Sequence, residues 1–231
     1  MTHLQREIDR LKRKILALGA LVEDNLRSAF QAIEQRDPAM ARLVIATDAV
    51  IDQNEVDVEE DCLKILALYQ PVAGDLRFLV AVIKITSELE RIGDLGSNIA
   101  ERALQLVDEH PVRVPQGFAV MSDRTGAILE KALDALVRRD AAVARLVLAA
   151  DDEIDLLYSD LIDELKEILR TYPEHLDAVV LLFHVARYLE RLADHATNIA
   201  EDVLYMVEGE IHRHQMPGTP AELFRWDDHE M

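Results

Sequence analysis

The sequence predicts an all-α protein: two tandem three-helix bundles, six long helices in all, related by a pseudo-twofold internal repeat. Three observations carry this. Only 5% of the 231 residues are aromatic and there are 8 Gly and 7 Pro, too few punctuating residues for the many turns of an all-β fold. Apolar residues recur at alternating four- and three-residue spacings, the signature of a helix with one buried stripe. Finally, residues 89–101 (LERIGDLGSNIAE) match residues 189–201 (LERLADHATNIAE) at 8 of 13 positions, at an offset of 100. A repeat of this length places one supersecondary unit beside a copy of itself.

The elements follow in order. Residues 4–34 read as a leucine- and charge-rich helix. Asp37-Pro38 is a helix start, with Asp as N-cap and Pro at the first helical position, and a second helix runs to about Tyr69. Residues 70–74 form a turn, after which Asp75 is expected to cap a third helix. Its apolar seam is Phe78, Val82, Ile85, Leu89, Ile92, Gly96, Ile99, Ala103 and Leu106. The second copy repeats this seam with Ala178, Leu182, Val185, Leu189, Leu192, Ala196, Ile199, Val203 and Met206. Gly96 and Ala196 fall on the seam, where small residues allow helices to approach closely. Upstream the offset is 103: Arg36-Asp37 matches Arg139-Asp140, and Asp48 and Asp52 match Asp151 and Asp155. Three extra residues in the turn of the first copy account for the change. Residues 1–112 are thus expected to form the first bundle and 117–209 the second, joined by a proline-bearing linker (HPVRVPQ). Residues 210–231 lose periodicity and read as a flexible tail.

Composition excludes several function classes. Lys and Arg total 25 against 44 Asp and Glu, a formal charge of −19, so the chain repels phosphate backbones and anionic lipid and attracts cations. One cysteine, Cys62, permits neither an internal disulfide nor a CxxC site, and it falls at an apolar helix position, as a core residue. No apolar run reaches the ~18 residues of a membrane span. The N-terminus is charged from the start, unlike a signal peptide, and a cytoplasmic protein is expected. No nucleophile elbow, HExxH or Walker loop occurs, so no enzyme is expected, and a di-metal hydrolase acting on phosphate esters would need an enclosed cleft that these helices do not suggest.

The chemistry the sequence does carry lies in four acidic pairs at i, i+4 spacing: Asp48/Asp52, Glu90/Asp94, Asp151/Asp155 and Glu190/Asp194. Carboxylates four apart share a helix face and repel each other unless a cation intervenes. With the first turn centred near residue 72, the midpoint of Asp48/Asp52 lies 22 residues before it and that of Glu90/Asp94 lies 20 after it. In the second unit, the turn near 173 is 20 and 19 residues from the two pairs. At about 1.5 Å per residue, the pairs sit level on antiparallel neighbours, and four oxygen-donor groups at one level suit a hard cation: iron, manganese, zinc or magnesium. Against this stands the ordinary reading of acidic residues as a solvated face, with Arg91 and Arg191 as their partners. Glu55, Asp57, Asn98, Glu101, Asn198 and Glu201 are weaker candidates. His195 is read as a surface neighbour because Leu95 takes its place in the first copy, and His212 and His214 as adventitious metal binders at most.

The two ERxxD segments, together with residues 70–77 (QPVAGDLR), resemble the PhoU family over roughly residues 8–208. The resemblance implies two three-helix bundles whose E(D)xxxD motifs hold multinuclear metal clusters, iron or zinc in some members. Glu90/Asp94 and Glu190/Asp194 match that motif, and Asp48/Asp52 and Asp151/Asp155 match its Asp form. It also implies a cytoplasmic negative regulator of phosphate-starvation signalling and phosphate uptake. Such a regulator links the ATPase subunit of the phosphate importer to the sensor histidine kinase, often as a homodimer or higher oligomer. The second copy has Tyr172-Pro173-Glu174-His175-Leu176 in place of the fuller turn, a departure from the pattern. The alternative is a metal-free helical adaptor with an acidic binding surface.

Overall fold

The computed structural model describes residues 2–109 and 111–209; the expected tail, with His212 and His214, lies outside them. The helices are α1 (His3–Gln35), α2 (Pro38–Tyr69), α3 (Ala73–Asp108), α4 (Gln116–Arg138), α5 (Ala141–Ala149), α6 (Asp151–Thr171) and α7 (Leu176–Glu208), with a 3₁₀ turn at Pro173–His175 before α7. There is no strand among the described residues. The six rods of the expected fold are present, the fifth of them interrupted at Ala150 into α5 and α6.

Local chemistry explains the starts and stops. The Thr2 hydroxyl accepts from Gln5 N–H at the head of α1. Asp37 caps α2 by accepting from Ala39 and Met40 N–H, and its repeat equivalent Asp140 does the same with Ala142 and Val143. Each satisfies two of the donors that a helix start leaves open. Asp75 does not cap α3 as expected: the helix begins at Ala73 behind Val72, which places Asp75 in the first turn, where its charge favours the helix dipole instead. The breaks after α1 and α4 fall at the repeat-equivalent Arg36 and Arg139, both in the left-handed region. The Arg36 side chain uses this position: its Nη1 donates to the carbonyls of Leu106 and Glu109 and so ties the end of α1 to the end of α3.

Gln70 also ends its helix left-handed, with φ 46°, but its side chain makes no hydrogen bond among the described residues, so only strain distinguishes it from glycine. Gln70→Gly is expected to stabilise the protein by about 0.5–1 kcal/mol, visible as a small rise in the calorimetric unfolding midpoint.

α1, α2 and α3 pack mutually as one three-helix group, and α4, α5/α6 and α7 as the other; α3 packs on α7 as extensively as on α2. All the buried apolar residues join in one cluster running through both groups. The predicted seams of α3 and α7 are buried throughout, and Cys62 is fully buried, its thiol pushed up to about 12 by that burial. At the contact between groups, Arg77 Nε donates to the Met206 carbonyl, Lys84 pairs with Asp202, and Glu88 meets His195 and Asn198. Numbers rise along α3 as they fall along α7, so the two are antiparallel, and the midpoint of these pairings falls near the repeat-equivalent Ile92 and Leu192. The internal twofold passes there. No helix among the described residues is long and apolar enough to cross a membrane.

Candidate metal centres and the seam between the repeats

The first carboxylate group forms where α2 crosses α3. Gly93 makes the crossing close: a Cβ there would lie 3.1 Å from two Ile51 side-chain carbons and 3.7 Å from Asp48 Oδ1. Asp48 and Asp52 on α2 are thereby brought into electrostatic range of Glu90 and Asp94 on α3. Glu90 shows the effect most: burial, and then the charges of Asp94, Glu55 and Asp52, raise its carboxyl to about 7, against a smaller lowering by Arg91. Burial and Asp52 raise Asp94. Asp48 is raised by burial and by Asp94 and Asp52, with Ser97 acting the other way. Ser97 nonetheless closes no hydrogen bond to it, so Asp48 Oδ1 and Ser97 Oγ are both buried without a partner. Glu55, one of the weaker candidates, belongs to the group: it is raised by burial, Glu59, Asp52 and Asp94.

The second group repeats the arrangement on α6 and α7. Asp151 is raised by burial and by Asp194 and Asp155; Glu190 by burial and by Asp194, Asp155 and Asp151; and Asp194 by burial and Asp155, against lowering by Arg187, His195 and Arg191. The two groups differ in two respects. Arg187 Nη1 donates to Glu190 Oε1, a basic partner that the sequence reading had not seen, while Glu190 Oε2 is buried unpartnered. Asp151 also opens a helix, directly after the break at Ala150, whereas Asp48 lies inside the continuous α2.

The structure therefore brings each set of four acids into one interacting group. As placed, no three carboxylate, histidine or cysteine groups among the described residues converge closely enough to hold an ion. The donors are all oxygen, which suits hard cations over soft ones. The orphaned oxygens of Asp48 and Glu190, and carboxyls raised by their neighbours, are groups a cation would satisfy. Asp57 and Glu101 do not figure among the groups acting on these acids.

Between the two groups lies a centre that sequence reasoning missed. Glu88 on α3 is almost fully buried, yet Oε2 accepts from His195 Nδ1 at 2.7 Å and from Asn198 Nδ2 at 3.1 Å, and Oε1 accepts from Arg91 Nη1 at 3.0 Å. Burial alone would raise the Glu88 carboxyl, but the His195 and Asn198 hydrogen bonds and the His195 and Arg91 charges hold it below its ordinary value. His195 is thus not a surface neighbour: its ring bridges the two bundles. Its distinction from Leu95 marks the only signal in the sequence, a polar residue in one copy where the other is apolar. Glu88 itself corresponds to Tyr188.

A family model described as the PhoU domain matches residues 15–103 and again 118–203, the two repeats. The chain is 37% identical over 212 residues to the phosphate-specific transport system accessory protein PhoU homolog of Aquifex aeolicus, covering 92% of this chain and 96% of that one. It is 36% identical to the homolog of the same description from Pseudomonas aeruginosa, covering 90% and 86%. The crystal structure of PhoU from Pseudomonas aeruginosa superposes with a TM-score of 0.82 at 35% identity, over 90% of this chain and all of that one. The phosphate transport system regulatory protein PhoU from Streptococcus pneumoniae superposes with a TM-score of 0.84 at 30% identity, over 90% and 99%. Duplicated motif, helical architecture and full-length similarity agree, and the chain belongs to the PhoU family.

Proposed function

We propose that this protein is an accessory regulator of a phosphate-specific transport system, and that it binds hard metal ions at Asp48, Asp52, Glu90 and Asp94 and at Asp151, Asp155, Glu190 and Asp194. One observation supports the metal reading above the rest: the carboxyls of both groups are raised by burial and by one another, with an oxygen of Asp48 and one of Glu190 left buried and unpaired. Evenly solvated acids would show neither. An ion bound there supplies charge neutralisation, drawing the four side chains of a group together and changing the acidic face the bundle presents. Oxygen donors favour iron, manganese or magnesium, with zinc less well matched for want of sulfur or imidazole. The role is regulatory rather than catalytic. Long rigid helix faces suit protein partners, and the partners we propose are the importer's ATPase subunit and the sensor histidine kinase. Acting in the cytoplasm as a homodimer, the protein would hold the phosphate-starvation response off when phosphate is plentiful.

Two measurements test this. Equilibrium dialysis against iron, manganese, magnesium and zinc should load the protein, and Glu90→Ala with Asp94→Ala should remove the share held by the first group; unchanged metal content would place the ions elsewhere. Deleting the gene should release phosphatase expression at high phosphate, and full repression in the deletion strain would sink the regulatory role. The Arg187–Glu190 pair, which already neutralises one acid, favours the second reading of a metal-free acidic adaptor, and dialysis that loads no metal at all would establish it.

A further inference from the structure

An open pocket of 390 Å³ lies on the internal twofold between α3 and α7, lined by Arg91, Asp94, Leu95, Asn98, Arg191 and His195. Its basic residues act on the surrounding carboxylates without spending all their donors on them. Arg91 and Arg191 are repeat equivalents that approach the same space from opposite bundles. Arg191 makes no hydrogen bond or ion pair among the described residues. Arg91 spends one nitrogen on Glu88 and keeps its other donors. His195 is fixed from behind, its Nδ1 held by the buried Glu88 carboxylate, so Nε2 is the nitrogen left for the pocket. Asn98 Nδ2 is anchored on the Asp94 carbonyl. Guanidinium groups of both bundles lining one pocket are the planar donors that suit a tetrahedral oxyanion.

Set against them in the lining is one carboxylate, Asp94. Glu55 and Glu90 act on Arg91 from one side and Asp194 acts on Arg191 and His195 from the other, so an anion must be held by directed hydrogen bonds rather than by a general positive field. Asp94 also decides which anion fits. At neutral pH inorganic phosphate keeps at least one hydroxyl, which a carboxylate can accept; sulfate keeps none and meets only repulsion. We propose that this pocket binds hydrogen phosphate through Arg91, Arg191 and His195, and that Asp94 selects it over sulfate. The site joins residues of both repeats, so its ligand bridges the two bundles. It shares Asp94 with the first carboxylate group but does not need an ion in either group.

The test is titration calorimetry of the full chain, treated with chelator, with inorganic phosphate and with sulfate at neutral pH and low salt. Phosphate should bind with a preference over sulfate of about tenfold or more. Arg191→Ala, an exposed change that breaks no hydrogen bond or ion pair among the described residues, should weaken phosphate about tenfold while leaving helix content unchanged. Asp94→Asn should let sulfate in and collapse the preference towards unity. Failure of the wild-type protein to bind phosphate, unchanged phosphate affinity in Arg191→Ala, or a preserved preference in Asp94→Asn each overturns the proposal. Phosphate binding that appears only on adding metal and survives Arg191→Ala also overturns it, by assigning the anion to bound ions, and leaves the metal reading standing.

Discussion

Glu88→Ala should destabilise the protein by about 3 kcal/mol, the cost of removing one member of a buried charged hydrogen-bond network. For a chain of this size that is a fall of roughly 10 °C in the unfolding midpoint. Three partners are stranded at once: the ring of His195, the amide of Asn198 and one nitrogen of Arg91. Two of them belong to the other bundle, so the loss falls on the α3–α7 contact. Glu88→Gln keeps the shape and some of the hydrogen bonding but removes the charge, and should recover part of the loss. Thermal unfolding followed by circular dichroism measures both. A change of less than about 0.5 kcal/mol, as for an ordinary surface site, would show that the network holds nothing.

The second large effect is a dependence of stability on pH that runs opposite to the usual acidic protein. A carboxyl whose folded pKa is raised binds more protons in the native state than in the unfolded one, so stability falls as pH rises between the two values. For Glu90 that window extends from its ordinary 4.5 to about 7. Asp48, Glu55, Asp94, Asp151, Glu190 and Asp194 are shifted in the same direction. Metal-free protein should therefore unfold at a higher temperature near pH 5.5 than near pH 8, by several degrees, at about 2–4 °C for each kcal/mol. Glu90→Gln should flatten the profile by raising the midpoint at pH 8. Adding a bound cation at pH 8 should do the same for the wild-type protein, since ligand binding to the native state adds stability. A midpoint that rises steadily from pH 5.5 to 8 without metal would contradict the raised carboxyls.

The parts of the fold that were legible from sequence are those governed by local repetition. The four-three spacing of α3 and α7, the Asp37 and Asp140 caps and the level placement of the acidic pairs all follow from residues near one another in the chain or from hairpin geometry. What was not legible depends on how the two bundles meet. α3 is buried on more than one stripe: Gly93 and Ser97, off the seam, are buried beside Asp48 and Ile51 of α2, and Glu88 is buried against His195 and Asn198 of α7. A seam read as a single stripe leaves Glu88 on the outside, and with it the meaning of His195. Asp75 was misassigned for a smaller reason: Ala73 adopts φ 48°, starting the helix three residues early in a conformation that no sequence pattern announces. The interruption at Ala150 likewise has no proline or glycine to mark it.

The antiparallel crossing of α3 and α7 carries a consequence for symmetry. Two identical chains meeting about a symmetry axis form an isologous interface, in which every feature must appear twice. Once two such units are joined in one polypeptide, that obligation ends, and each half can mutate alone. The bridge from Glu88 to His195 has Tyr188 and Leu95 at the mirrored positions, so it is an asymmetry that two identical chains meeting about that axis could not hold.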